Sequence, residues 1–126
     1  MASLGEASGY VPYTSYSAKA SYMKENPEII QKFTDALQKG MTMCRSHTPE
    51  EIAEVIAPQF KETDLETITA IVKRYYDQDT WKENLIFEKD SFELLQDILE
   101  DAGELTDRAA YEDLVQTEYA RKACES

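Results

Sequence analysis

The stretch NPEIIQKFTDALQKGMTMCRS, residues 26–46, decides the fold class. Asn26 suits a helix N-cap, Pro27 fits the first turn with its fixed φ and missing N–H, and Glu28 favours the positive dipole end. Behind this start, Ile29, Ile30, Phe33, Ala36, Leu37, Met41 and Cys44 recur at three- and four-residue steps. That spacing predicts a long amphipathic helix to about Ser46. Gly40 sits on its apolar face at a cost of about 1 kcal/mol against Ala, so a close neighbour is expected there.

Working outward, Ser17 to Glu25 reads as a short helix with Ala18, Tyr22 and Met23 on one side. On the other flank, Thr48 and Glu51 have capping-box spacing and open a helix with Ile52, Val55, Ile56 and Phe60 inward. Thr63 and Glu66 repeat that spacing before Leu65, Ile68, Ile71, Val72 and Tyr75. Residues 77–89 break the helical pattern and read as a structured connection pinned by Trp81. Asp90 and Glu93 signal a further helix through Ala102, with Phe92, Leu95, Ile98 and Leu99 inward and Gly103 as a left-handed cap. A last helix is expected from about Ala109 to Ala123, with Tyr111, Leu114, Val115 and Tyr119 inward. Before all of these, GYVPYTSY at residues 9–16 is aromatic and β-prone, and Pro12 restricts any strand there to an edge or a crossover. The expected fold is mainly α: five to six helices and one short N-terminal strand, with a flexible N-terminus at 1–8 and a single helical domain at 9–126.

A length of 126 residues corresponds to one domain, and 42% apolar residues suffice for a core without disulfide or metal staples. The net charge of -12, from 13 Lys and Arg against 25 Asp and Glu, argues against nucleic acid and anionic membranes. It is unevenly placed. Residues 1–20 hold only Glu6 and Lys19, so the whole imbalance lies on 21–126. No run approaches the roughly 18–20 apolar residues of a membrane helix, and no signal peptide is evident, so the chain expressed as given would be cytoplasmic. Cys44 and Cys124 form no CxxC pair and read as a small buried hydrophobe and a terminal thiol.

The chemical inventory is thin. His47, the single histidine, stands where an imidazole caps a helix C-terminus. No triad, zinc set or phosphate loop is legible, so catalytic residues, metal ligands and cofactors are expected to be absent. Asp77, Asp79 and Glu88 occupy positions 1, 3 and 12 of a calcium-loop count. Trp81 and Lys82 then stand where a ligand and a turn-forming glycine are needed. The least ordinary feature is the cluster Tyr10, Tyr13 and Tyr16 with Thr14, Ser15 and Ser17. Its rings and hydroxyls suit either a small-ligand pocket or packing on helices.

Residues 9–40, Ser46 to Ala53 and Asp101 to Leu105 resemble the C-terminal part of periplasmic solute-binding proteins of ABC importers, of the nitrate/sulfonate/taurine type and its thiamine-pyrimidine-precursor branch. The resemblance runs from Gly9 to about Ala123. It implies part of a two-lobed type II periplasmic binding fold, an extracytoplasmic parent family, no enzyme activity, and a small organic or oxyanionic ligand passed to an ABC permease. Tyr10, Tyr13, Thr14 and Ser15 match the crossover near that family's cleft, which implies a ligand-facing role. As a truncated fragment, the chain would leave a strand edge and helix faces open, so a homodimer through residues 9–16 or exposed helix faces is expected. The alternative function is an independent acidic helical module for protein interaction.

Overall fold

The computed structural model describes residues 8–12 and 14–125, and seven α-helices lie among them. They are α1 (Ala20–Glu25), α2 (Pro27–Ser46), α3 (Pro49–Ile56), α4 (Leu65–Asp77), α5 (Lys89–Asp101), α6 (Tyr111–Leu114) and α7 (Glu118–Cys124). A 3-10 turn at Ala57–Gln59 extends α3. The fold is mainly α, as the periodicity predicts.

The long helix has the expected boundaries, but Asn26 does not cap it with its side chain. Its Nδ2 donates to the Tyr22 carbonyl instead, closing the end of α1. The Thr48 capping box forms in full: Glu51 N–H donates to Thr48 Oγ1 at 3.3 Å, and Thr48 N–H donates to the Glu51 carboxylate at 2.8 Å. Replacing Thr48 with Ala should therefore cost about 1 kcal/mol in a urea titration. A change inside the error of that titration would show that the box contributes nothing.

Several expectations need correction. No strand occurs among the described residues of 9–16, because a ribbon without a partner strand cannot satisfy its ladder. The third cap is Asp64, not Thr63: its carboxylate accepts from Thr67 N–H at 2.9 Å. Helix α5 starts one residue before Asp90, behind Glu88, with no side-chain cap; Glu93 pairs with Arg108 instead. The expected last helix is two helices, because Val115 is extended with φ -111° and ψ 122°. Gly103 does close α5 as expected, with φ +75°. Its N–H reaches the Glu100 carbonyl and Glu104 N–H reaches Leu99, the two bonds of a Schellman end.

The core is small. Ile52 and Ala53 of α3 pack on Ile68 and Val72 of α4, with Cys44, Ile56, Ala57 and Trp81 against them. Helix α7 lies on α2 through the buried Ala120 and Ala123, whose small side chains permit close approach. There Gln31 Nε2 donates to the Tyr119 carbonyl at 3.0 Å. Helix α5 buries Phe92 and Gln96 and meets Tyr111 of α6. The expected inward faces are only partly used: Ile29, Phe33, Val55, Ile71, Tyr75, Ile98 and Leu114 stay exposed. Periodicity selects a face, but burial needs an opposing element, and the described residues leave these side chains uncovered or, like Phe33 and Tyr75, covered on one side by a single ring. Gly40 likewise has open space where a Cβ would stand. No helix among the described residues is long and apolar enough to cross a membrane.

Candidate functional site

Helix α4 ends in an unusual way. Thr80 N–H reaches the Tyr75 carbonyl and Asp79 N–H reaches that of Tyr76, so Asp79 takes the left-handed position of a Schellman end. Its φ is +52°, the only positive φ at a non-glycine among the described residues. Glycine is the usual occupant, and a side chain there costs on the order of 1 kcal/mol. Asp tolerates the region better than most residues, and what its carboxylate contacts explains its presence.

Asp79 gathers residues from three parts of the chain. Lys82 Nζ lies 2.6 Å from Oδ2, and Tyr10 Oη donates to the same oxygen at 3.3 Å, from 69 residues away. The Lys82 ammonium also sits 3.7 Å above the Tyr10 ring centre, a cation–π contact. Arg45, near the end of α2, approaches Oδ1 at 3.7 Å, and its Nη1 donates to the Trp81 carbonyl at 2.9 Å. Tyr76 Oη returns a bond to the Arg45 carbonyl at 3.1 Å. Trp81 is held edge-on to Tyr76, with ring centres 5.9 Å apart, and tilted against Tyr75 at 6.4 Å. One part of the indole packs on the α3–α4 core, so the expected pinning of the connection by Trp81 is present. The rest of Trp81 lines an open cleft of 160 Å³ with Arg45, Tyr76 and Asp79.

The Lys82 hydrogen bond, its charge, the Tyr10 hydroxyl and Arg45 hold the Asp79 carboxyl below the usual Asp value of 3.8. The Thr67 hydrogen bonds do the same for the Asp64 cap. A depressed folded-state pKa gives stability that is fully present above 3.8 and is lost as pH falls through the lower folded value. Asp79→Asn and Asp64→Asn should therefore unfold more easily than the parent at about pH 5, and the gaps should close towards about pH 2 in urea titrations. Gaps that stayed constant across that range would sink the assignment.

Of the residues singled out from sequence, Tyr10 enters this cluster. Thr14 and Ser15 are exposed and make no side-chain hydrogen bond among the described residues, and Tyr13 lies outside those residues. Tyr16 turns instead onto Phe33 of α2, edge to face at 5.1 Å. His47 does cap a helix end: its ring Nδ1 lies 3.0 Å from the Met43 carbonyl. Asp77 and Asp79 do not converge, since Asp77 pairs with Lys73 and Asp79 with Lys82. Sequence reasoning missed Arg45, Tyr76 and Lys82. The legible signal was an Asp at a helix exit where glycine is usual, followed three residues later by Lys.

A protein of Bacillus subtilis (strain 168) described as "Putative binding protein YtlA" is 37% identical over 122 residues, covering 97% of this chain. The match takes in 36% of that protein, so the chain spans about a third of its length. No family model matches the chain, and no solved structure matches it. The expected membership in the periplasmic solute-binding proteins is corrected on that ground: a family resemblance carried by short segments finds no family model behind it.

Proposed function

We propose that this chain works by binding rather than by catalysis, and that it holds a small organic ligand at the Trp81 cleft. The observation that carries this reading is the Asp79 junction. A strained backbone position is kept for a carboxylate that gathers an arginine, a lysine and the Tyr10 hydroxyl beside open space lined by Trp81 and Tyr76. The relative named as a binding protein supports the same direction. Delivery of a small organic or oxyanionic nutrient to an ABC permease is the finer form of this proposal. A thermal-shift panel of organic acids, sulfonates, nitrate, pyrimidines and amines tests the binding itself. A rise in Tm that Tyr10→Phe or Asp79→Asn weakens is the expected result; no response to any compound at millimolar concentration overturns it.

A second reading, self-association through an apolar face, rests on a separate observation. Ile29 and Phe33 share one face of α2 at 53% and 48% exposure, and Tyr16 lies across Phe33. The homodimer proposed on this face should give a dimer mass in light scattering, and Phe33→Glu should return it to monomer. A monomer at high concentration overturns it.

A further inference from the structure

The charge around the Trp81 cleft is what selects among ligands. Asp79 is matched by Lys82 at 2.6 Å, and both contacts of Lys82 face inward, to Asp79 and to the Tyr10 ring. Arg45 is the cation with the looser hold on Asp79. Its Nη1 goes to the Trp81 carbonyl, and the 3.7 Å approach to Asp79 is too long for a hydrogen bond. The guanidinium carries five N–H donors in a planar fork. Its Nη2 and Nε edge therefore has no acceptor among the described residues, while the side chain remains 45% exposed beside the cleft. Arg45 and Asp79 line the cleft, and with the Lys82 paired to Asp79 the three charges sum to +1 in a chain of net charge -12, so an anion meets less repulsion here than over most of the molecule. The wall beside Arg45 is aromatic: Trp81 and Tyr76 line the cleft, with Tyr75 behind Trp81.

We propose that this cleft takes a planar ring bearing a single negative charge, the ring against Trp81 and the anion on the open edge of Arg45. The proposal rests on the binding role argued above and names its ligand class. A bare oxyanion would gain only one exposed contact to arginine, which is worth little alone. A cationic ring would meet the Arg45 guanidinium, while the Asp79 carboxylate in the lining is already matched by Lys82. A ring with one carboxylate or sulfonate uses both features: stacking supplies the affinity and the planar fork matches the planar anion.

Trp81 is the single tryptophan of the chain, so its indole N–H gives one assignable amide-region NMR signal that reports on the site directly. Benzoate, benzamide and benzylammonium present one ring with negative, zero and positive charge. Benzoate should move the Trp81 signal saturably, with a Kd about fivefold below that of benzamide and benzylammonium weakest, the ratio one exposed charge-assisted contact supplies. Raising salt to about 0.5 M should erase the benzoate advantage and leave benzamide unchanged, a control that needs no variant. Arg45→Gln should erase it too, with Arg45→Lys intermediate because charge without the fork remains. Benzamide or benzylammonium binding as tightly as benzoate overturns the charge selection while leaving the binding role standing. A Trp81 signal that none of the three rings moves overturns both.

Discussion

Ile52→Ala should lower the unfolding free energy by about 3 kcal/mol, a large fraction of the roughly 5–15 kcal/mol that holds a domain of this kind. The magnitude follows from position. Ile52 is 2% exposed and Ala53 beside it is 0% exposed, where α3 meets Ile68 and Val72 of α4. Three methylene-sized groups removed there leave a cavity that the neighbours, themselves fixed in short helices, fill poorly. Only seven apolar residues are buried among those described, so little else compensates. Val55→Ala is the internal control: it lies on the same helix at 60% exposure, and the change should stay within about 0.5 kcal/mol. Chemical denaturation followed by circular dichroism measures both. Equal effects from the two substitutions would mean that the α3–α4 contact is not the core.

The effect should also reach the cleft. Trp81 packs against that same cluster, so a cavity at Ile52 loosens the wall on which a ligand ring would lie. Ile52→Ala should accordingly weaken binding even where the chain remains folded, whereas Val55→Ala should not.

These two residues show what a sequence discloses and what it withholds. Ile52 and Val55 are both apolar and lie three apart on one helix, so periodicity assigns them to one face. Only the position of α4 separates them. The same limit applies to α2, where the ends are legible to the residue while Ile29 and Phe33, read as core, lie open. Ends are local chemistry: Pro27, the Thr48–Glu51 box and Gly103 act within one turn. Inward faces depend on distant elements. The candidate site divides in the same way. Tyr10 stood out by composition, and Trp81 by being alone in an irregular stretch. Their meeting through Asp79 joins residues 69 apart, and no local rule encodes that. By spacing alone Asp79 falls on a calcium-loop position, whereas its place at the left-handed exit of α4 is what sets its contacts.

Gln96 carries the second large expectation, and it was invisible to hydrophobic patterning because it is polar. It is 5% exposed, on the inner side of α5 next to Phe92. Its Oε1 accepts from Ala109 N–H at 2.7 Å, and its Nε2 donates to the Ala109 carbonyl at 3.2 Å. One side-chain amide thus satisfies both backbone groups of a residue 13 positions on, as a strand neighbour would. This fixes the return from Gly103 and places Tyr111, whose hydroxyl donates to the Phe87 carbonyl and whose ring meets Phe92 at 5.6 Å. Gln96→Leu keeps the volume and leaves the Ala109 N–H and carbonyl without partners, at a cost of about 2–3 kcal/mol. Gln96→Glu at neutral pH keeps the acceptor, loses the donor and sets a carboxylate against the Ala109 carbonyl, so it should be nearly as damaging. Acid should partly restore that variant, because the protonated carboxyl donates again. Arg108, which bridges Glu93, Asp97 and Glu100 on the outside of the same helix, gives the comparison. Those pairs are solvent-screened, so Arg108→Gln should matter less despite removing three of them. Since none of these residues lines the Trp81 cleft, Gln96→Leu should lose stability in urea while the folded fraction binds as before. If Arg108→Gln proved the more costly change, the outer charge network rather than the buried amide would be what holds the C-terminal segment on α5.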